Sequence, residues 1–244
     1  MKEKFLVFDI ETVPLGWDTF SESQQEYILR RAETEEEKEQ KMMEMALTPL
    51  TAMCVTIGMQ LMEANDDGGF NLLKRAAFSI NESFSEEEEE EVVLATGDSC
   101  FLYSERTMLE KFWKIFLKYD NLHLISFNGR NFDAPFLMLR SALLKVRPTK
   151  NLMAGTKFNY PFHTDLIDEL SFFSTSYYGA TKRFNFDFYA RSFGITSPKA
   201  EGIDGSKVPE FYHNGKIEEI SEYCLRDVNA TWLLYLEWRK FLKF

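Results

Sequence analysis

The 244-residue sequence predicts an α/β fold built on a mixed sheet, and three observations lead there. Strand-like apolar runs dominate up to Tyr103, helical spacing then alternates with short strands, and no linker, heptad or internal repeat divides the chain. With 45% apolar and 15% aromatic residues the chain can bury a substantial core, so one domain over 1–244 is expected.

Phe5 to Thr12 reads as a buried strand, because Phe-Leu-Val-Phe supplies β-favouring side chains and Pro14 with Gly16 ends the run. Residues 21–47 are rich in Glu, Lys, Gln, Met and Ala and lack Gly and Pro, which predicts one or two surface helices interrupting the sheet. Strands follow at Ala52 to Leu61, around Leu72 to Phe78, and at Val92 to Thr96 or Cys100 to Tyr103. Asn65-Asp-Asp-Gly-Gly69 marks a hairpin-type turn, so an antiparallel meander is the expected assembly, with Asn81 to Glu91 a mobile loop.

Leu109, Phe112, Trp113, Phe116 and Leu117 recur at helical spacing within Thr107 to Lys118, and Leu122 to Phe127 returns to a strand. Phe136 to Leu144 reads as a helix, Phe162 to Leu166 as a strand, and Phe186 to Phe193 as a helix stopped by Gly194. Lys216 to Leu242 forms a long last helix whose Ile220, Leu225, Val228, Trp232 and Leu233 are expected to face the sheet.

A net charge of -11 would ordinarily argue against a nucleic-acid partner. Its distribution softens that: residues 1–140 hold 14 Lys+Arg against 27 Asp+Glu, residues 141–216 hold 10 against 7, and residues 217–244 hold 4 against 5. The acidic runs Glu33 to Glu44 and Glu86 to Glu91 read as solvated faces. Cys54, Cys100 and Cys224 form no C-x-x-C pair, and Phe5 to Phe8 is too short an apolar stretch for a signal peptide or membrane span, so a reducing cytoplasm is the expected location.

Asp9 and Glu11 lie one residue apart on the first strand, so both side chains leave one face and can reach a shared ion. A solvent-dipping strand end is the plainer account of such a pair, but a buried strand should not end in two carboxylates unless something positive offsets their desolvation. Asp133, in Asn128-Gly-Arg-Asn-Phe-Asp-Ala-Pro135, reads as an N-cap, as a metal ligand on an exposed rim beside the strand ends, or as both. Tyr223 and Asp227 are four apart and share a helix face, which a simple Tyr-to-carboxylate hydrogen bond would also explain.

In order and wording these segments resemble the three motifs of the DEDD exonuclease superfamily: D-x-E in Phe8-Asp-Ile-Glu-Thr12, N-x4-D in Asn128 to Asp133, and Y-x3-D in Tyr223 to Asp227. The tyrosine points to the DEDDy branch, and within it the chain looks most like stand-alone exonucleases related to the proofreading domain of family-B DNA polymerases. His163-Thr-Asp-Leu166, Phe193-Gly-Ile, Gly205-Ser-Lys-Val208 and Glu222-Tyr-Cys-Leu-Arg-Asp-Val228 support the likeness. Residues 21–47 and 82–91 read as insertions without a family counterpart, and 244 residues leave no room for a polymerase domain.

The resemblance implies an RNase H-like core, a mixed sheet flanked by helices on both faces, and removal of nucleotides from a 3′ end. It also implies two divalent cations held by Asp9, Glu11, Asp133 and Asp227, with Asp9 bridging both, Asp133 acting largely through water, and Tyr223 aiming the attacking water. Oxygen ligands without His or Cys suit Mg²⁺ or Mn²⁺ rather than zinc. The expected partner is nucleic acid with a free 3′ end, single-stranded DNA above all. Thr12 and Asn128 are candidates to hold the terminal nucleotide, Phe132 to stack on a base or fill the core, and Lys199 and Lys207 to guide the backbone, with Lys182 and Arg183 in the same basic stretch. His123, His163 and His213 show no metal-ligand spacing, and none is expected to be catalytic. The competing readings are an RNase D-like exoribonuclease, a catalytically silent nucleic-acid-binding module on the same fold, and a structural partner protein with an acidic N-terminal half.

Overall fold

The computed structural model describes residues 2–119, 121–174, 176, 178–197 and 204–243. Its strands are β1 (Lys4–Pro14), β2 (Ala52–Ala64), β3 (Phe70–Ile80), β4 (Glu90–Val93), β5 (Ser99–Tyr103), β6 (Leu122–Ser126) and β7 (His163–Asp165). Its helices are α1 (Glu22–Leu29), α2 (Glu35–Glu44), α3 (Glu105–Lys118), α4 (Asp133–Leu143), α5 (Leu166–Leu170), α6 (Phe186–Ser192), α7 (Val208–His213) and α8 (Ile217–Phe241).

The strands form one mixed sheet in the order β4-β5-β3-β2-β1-β6-β7. The meander expected up to Tyr103 holds for β1, β2 and β3, which are antiparallel. It fails beyond them: both candidate runs are strands, and β5, not β4, joins β3, in parallel, leaving β4 antiparallel on the outer edge. The crossover through residues 81–98 allows this, whereas a tight hairpin such as the one closed by Asn65 and Gly69 forces antiparallel pairing. β6 and β7 extend the other side in parallel with β1, as helical crossovers require.

Period-two alternation on β1 divides the core. Leu6, Phe8 and Ile10 join Phe112, Trp113, Phe136 and Leu137 of α3 and α4, whereas Phe5 and Val7 join Val228, Trp232, Tyr235 and Trp238 of α8. The sheet is thus sealed on both faces, and each fully buried Phe or Leu contributes about 1.5–3 kcal/mol relative to exposure. On α8 the inward set contains Leu234, while Leu233 is exposed, because a turn of 3.6 residues rotates position 233 away from the stripe through Val228 and Trp232. α3 and α4 are locked by Glu105, whose Oε1 accepts from Arg140 Nε at 2.8 Å and from the Cys54 backbone N–H at 2.8 Å.

In the acidic stretch before β4, Glu86 pairs with Arg106, and Glu89 with Lys111, both on α3. The three cysteines are unpaired thiols in the interior. Among the described residues no helix is long and apolar enough to cross a membrane.

Candidate active site

Asp9 and Glu11 continue the Phe5-Val7 face of β1, so they end under α8, just where the apolar seam gives out. Carboxylate oxygens of Asp9 and Glu11 and the Cys224 sulfur all lie within 4.8 Å of one another. The Cys224 thiol donates to the Asp9 backbone carbonyl at 3.5 Å and to Asp9 Oδ2 at 3.7 Å. α8 can come this close because Gly58 faces Asp9 across the β1–β2 ladder; a Cβ there would sit 2.8 Å from Cys224 Sγ and 3.2 Å from the Cys224 backbone. Next to it Thr56, Ser79 and Ser221 make a buried run of hydroxyl contacts at 3.0 and 2.7 Å between β2, β3 and α8. These small side chains fix the height of α8 over the sheet, and with it Tyr223 and Asp227.

Asp133 reaches the same point from the opposite side. β1 pairs with β6 only as far as Val7, so the Ile10 N–H has no strand partner there, and Asp133 Oδ1 accepts it at 3.0 Å. The expected exposed rim is therefore wrong: Asp133 is 3% exposed, and it is the first residue of α4, with Phe132 at the N-cap position. Phe132, not Asp133, thus takes the cap position, and Asp133 directs one carboxylate oxygen to an N–H of another strand.

The loop before α4 sets that direction. Asn128 has φ +66, a left-handed conformation that Asn tolerates better than most residues, and Gly129 packs where any Cβ would lie 2.4 Å from Ser126 Oγ. Asp165, at the end of β7, accepts the N–H of Asn128 at 2.6 Å and of Arg130 at 2.8 Å. The Gly129 carbonyl in turn accepts the Ala134 N–H at 2.8 Å. Gly58 and Asp165 were not among the expected site residues. Asp165 stood within the His163-Thr-Asp stretch, and a buried acid ending an apolar strand is the same signal that singled out Asp9; Gly58 inside a predicted strand signals close backbone approach.

The electrostatics follow from crowding. Burial first, then the Asp133, Asp227 and Glu11 carboxylates, push the Asp9 carboxyl well above the ordinary range. Glu11 is raised by burial and by Asp227 and Asp133. Burial also pushes Asp133 up to about 7, against the pull of the Ile10 N–H, which favours its charged form. Burial, together with the neighbouring Asp227, Glu11 and Asp9 carboxylates, holds the Tyr223 phenol above the usual tyrosine range. Such a donor set, hard oxygens repelling one another in a desolvated cleft, fits divalent cations. The adjacent thiol does not spoil that fit, because burial and the surrounding carboxylates keep Cys224 protonated and thus a poor ligand.

The remaining expected residues are dispersed. Thr12 is buried, and its hydroxyl donates to the Ala46 carbonyl at 2.8 Å, anchoring the segment that follows α2. Phe132 is half-buried and packs against Phe136. Lys207 is exposed at the start of α7, and Lys199 lies outside the described residues. His163 is buried, with Nε2 2.7 Å from Ser126 Oγ, and His123 contacts Thr164.

Sheet order, helices on both faces and a carboxylate cluster at the strand ends define an α/β domain of the RNase H-like class. The chain belongs to the family of predicted 3′–5′ exonucleases related to the exonuclease domain of PolB, whose model matches residues 71–243. That span holds Asp133, Tyr223 and Asp227, while Asp9 and Glu11 precede it. Among solved structures the fold is similar to the family B DNA polymerase from the hyperthermophilic archaeon Pyrobaculum calidifontis, with a TM-score of 0.56 and 18% identity. The likeness covers 99% of this chain but only 25% of the polymerase. Comparison with curated proteins gives no match.

Proposed function

We propose that this protein is a divalent-metal-dependent 3′–5′ exonuclease that hydrolyses the terminal phosphodiester of single-stranded DNA. The observation that carries the reading is the convergence of Asp9, Glu11, Asp133 and Asp227, from β1, α4 and α8, on one site in which burial and mutual repulsion disfavour the charges of Asp9, Glu11 and Asp133. These four residues would hold two cations, Mg²⁺ or Mn²⁺. When bound, such ions neutralise phosphate oxygens and lower the pKa of water.

The protein's own groups do the rest. Asp133, fixed on the Ile10 N–H, and Asp9, fixed by Cys224, present oxygens whose directions are set before substrate arrives. Tyr223 keeps its proton and is therefore no general base; its hydroxyl, adjoining Asp227, is suited to orient the attacking water along the line of displacement. Asn128, half-exposed on the loop that Asp165 holds, stands beside the cleft as a contact for the terminal nucleotide.

The test is product length over time on 3′- and 5′-blocked DNA and RNA oligonucleotides with Mg²⁺, Mn²⁺ or EDTA, alongside Asp9→Ala. Stepwise shortening from a free 3′ end alone, dependent on metal and absent in the variant, is the expected result. Shortening of RNA but not DNA would replace the substrate. Binding without shortening under any metal would replace the enzyme with a silent binding module.

A further inference from the structure

A second surface lies beside the cleft. Between α4 and α7, on either side of β7, the chain leaves large aromatic rings in solvent: Phe158 is 62% exposed, Phe172 63%, Phe188 56% and Phe184 42%. They fall into two groups. Phe158 meets Phe173, the neighbour of Phe172, with centroids 6.3 Å apart, and Phe184 meets Phe188 at 4.9 Å. Asp168 joins the groups, accepting from the Tyr160 hydroxyl at 2.6 Å and from the Arg183 guanidinium.

The first group touches the loop that positions Asp133, and the helix of the second packs just ahead of it. Tyr160, packed on Phe173, stacks under the Arg130 guanidinium at 3.9 Å, while Phe127 packs on Phe186 at 5.0 Å. The first group thus adjoins Arg130, and α6, which carries Phe188, adjoins Phe127 at the start of the same loop.

Charge points to the occupant. In a chain of net charge -11, residues 141–197 carry seven Lys or Arg against four Asp or Glu, and three of those acids are occupied, Asp165 by backbone N–H groups, Asp168 by Arg183 and Asp187 by Arg191. Lys157 and Lys182 hold their ammonium groups 5.5 and 4.8 Å from the Phe158 and Phe184 ring centroids. Exposed rings edged by cations match unpaired bases on a phosphate backbone, and a duplex would offer no base face to stack. Phe172 and Phe173 have φ +51 and +55, a left-handed conformation disfavoured for bulky side chains; such strain is characteristic of ligand clamps, and here it presents the Phe172 ring to solvent.

We propose that Phe158, Phe172, Phe184 and Phe188, with Lys157 and Lys182, form a stacking surface for the single-stranded segment that precedes the 3′ terminus. The assignment rests on the exonuclease reading for its substrate, but binding tests it separately from cleavage.

The experiment is fluorescence anisotropy of 5′-labelled (dT)12 with Phe172→Gly, the Phe184→Ala/Phe188→Ala pair and Lys182→Glu. Hydrolysis of (dT)12 and of the p-nitrophenyl ester of thymidine 5′-monophosphate is measured in parallel. Phe172→Gly removes the ring while suiting the left-handed backbone, so it folds. Each ring variant is expected to weaken (dT)12 binding and raise its KM about tenfold, leaving ester hydrolysis unchanged. Lys182→Glu should also flatten the salt dependence of binding. Wild-type binding without any hydrolysis would sink the exonuclease reading and leave this surface standing. Unchanged (dT)12 binding in the ring variants would overturn it, as would a loss of self-association in sedimentation with binding intact, which would make the rings a contact between copies of this chain.

Discussion

The Cys224 sulfur occupies the space above Gly58 so closely that a Cβ on Gly58 would lie 2.8 Å from it. This contact sets the distance between α8 and β2, and through it the distance of Tyr223 and Asp227 from Asp9 and Glu11. Gly58→Ala is expected to cost about 1–3 kcal/mol of stability through overpacking and to reduce turnover by more than the stability loss explains. Adding Cys224→Ala removes the 2.8 Å contact but leaves the Cys224 backbone at 3.2 Å, so rescue should be partial. Urea melts and kcat for the two single variants and the double variant give the coupling; full additivity would mean that the two residues do not share one constraint.

Without cations the carboxylate cluster is a stability liability that depends on pH. Asp133 is raised to about 7, so between its unfolded value near ~3.9 and that point the folded state holds a proton that the unfolded chain has released. Stability in EDTA must therefore fall as pH rises through that window, and the raised Asp9 and Glu11 carboxyls act in the same direction. Mn²⁺ at a hundred times its Kd should return about 2.7 kcal/mol at pH 7.5. Asp9→Asn should stabilise the metal-free protein at that pH and blunt the response to Mn²⁺. Urea midpoints flat across pH 5 to 7.5 and indifferent to Mn²⁺ would refute the cluster as a cation site.

Asp165 is expected to matter for turnover although it stands outside the carboxylate cluster. Its two oxygens accept the N–H groups of Asn128 and Arg130, and Asn can present only one acceptor there, leaving a buried donor facing an NH₂ group. Asp165→Asn should therefore cost about 1–3 kcal/mol in stability and loosen the loop ahead of Asp133. kcat should fall with Mn²⁺ affinity, while the ester and (dT)12 substrates suffer alike, unlike the variants of the aromatic surface. A stable Asp165→Asn with wild-type Mn²⁺ affinity would show that the loop holds its shape without this acid.

Much of this was legible beforehand, for reasons that the same residues explain. Period two on β1 and 3.6 on α8 are local properties of the chain, and they placed Asp9 with Glu11 and Tyr223 with Asp227 before any tertiary contact was known. What could not be read was pairing. That β5 rather than β4 joins β3 depends on a crossover whose length permits either arrangement, and Leu233 and Leu234 differ by one residue on a helix whose exact rotation only packing sets. Asp133 was misjudged in burial because Asp before Ala-Pro is a good cap signal, and the competing partner, Ile10 N–H, is 123 residues away. Gly58 and Asp165 likewise act through backbone contacts distant in sequence, with Cys224 and, 37 residues away, with Asn128, which no sequence spacing encodes.

Tyr223 separates two accounts of how water is activated. Burial is the first cause holding its phenol above the ordinary range, and a cation bound among the carboxylates would not expose it to solvent. Tyr223 should then stay protonated through the alkaline limb of the pH–rate profile and contribute only by aiming the nucleophile. Tyr223→Phe is expected to lower kcat on the order of 10- to 100-fold, with KM for (dT)12 little changed and the profile the same shape. Asp227→Ala, which removes an oxygen of the cluster rather than an aiming group, should cost more and also weaken Mn²⁺ binding. If the wild-type profile instead carries an ionisation near pH 9 that vanishes in Tyr223→Phe, the phenolate takes part directly, and the role assigned to the tyrosine must change from positioning to proton transfer.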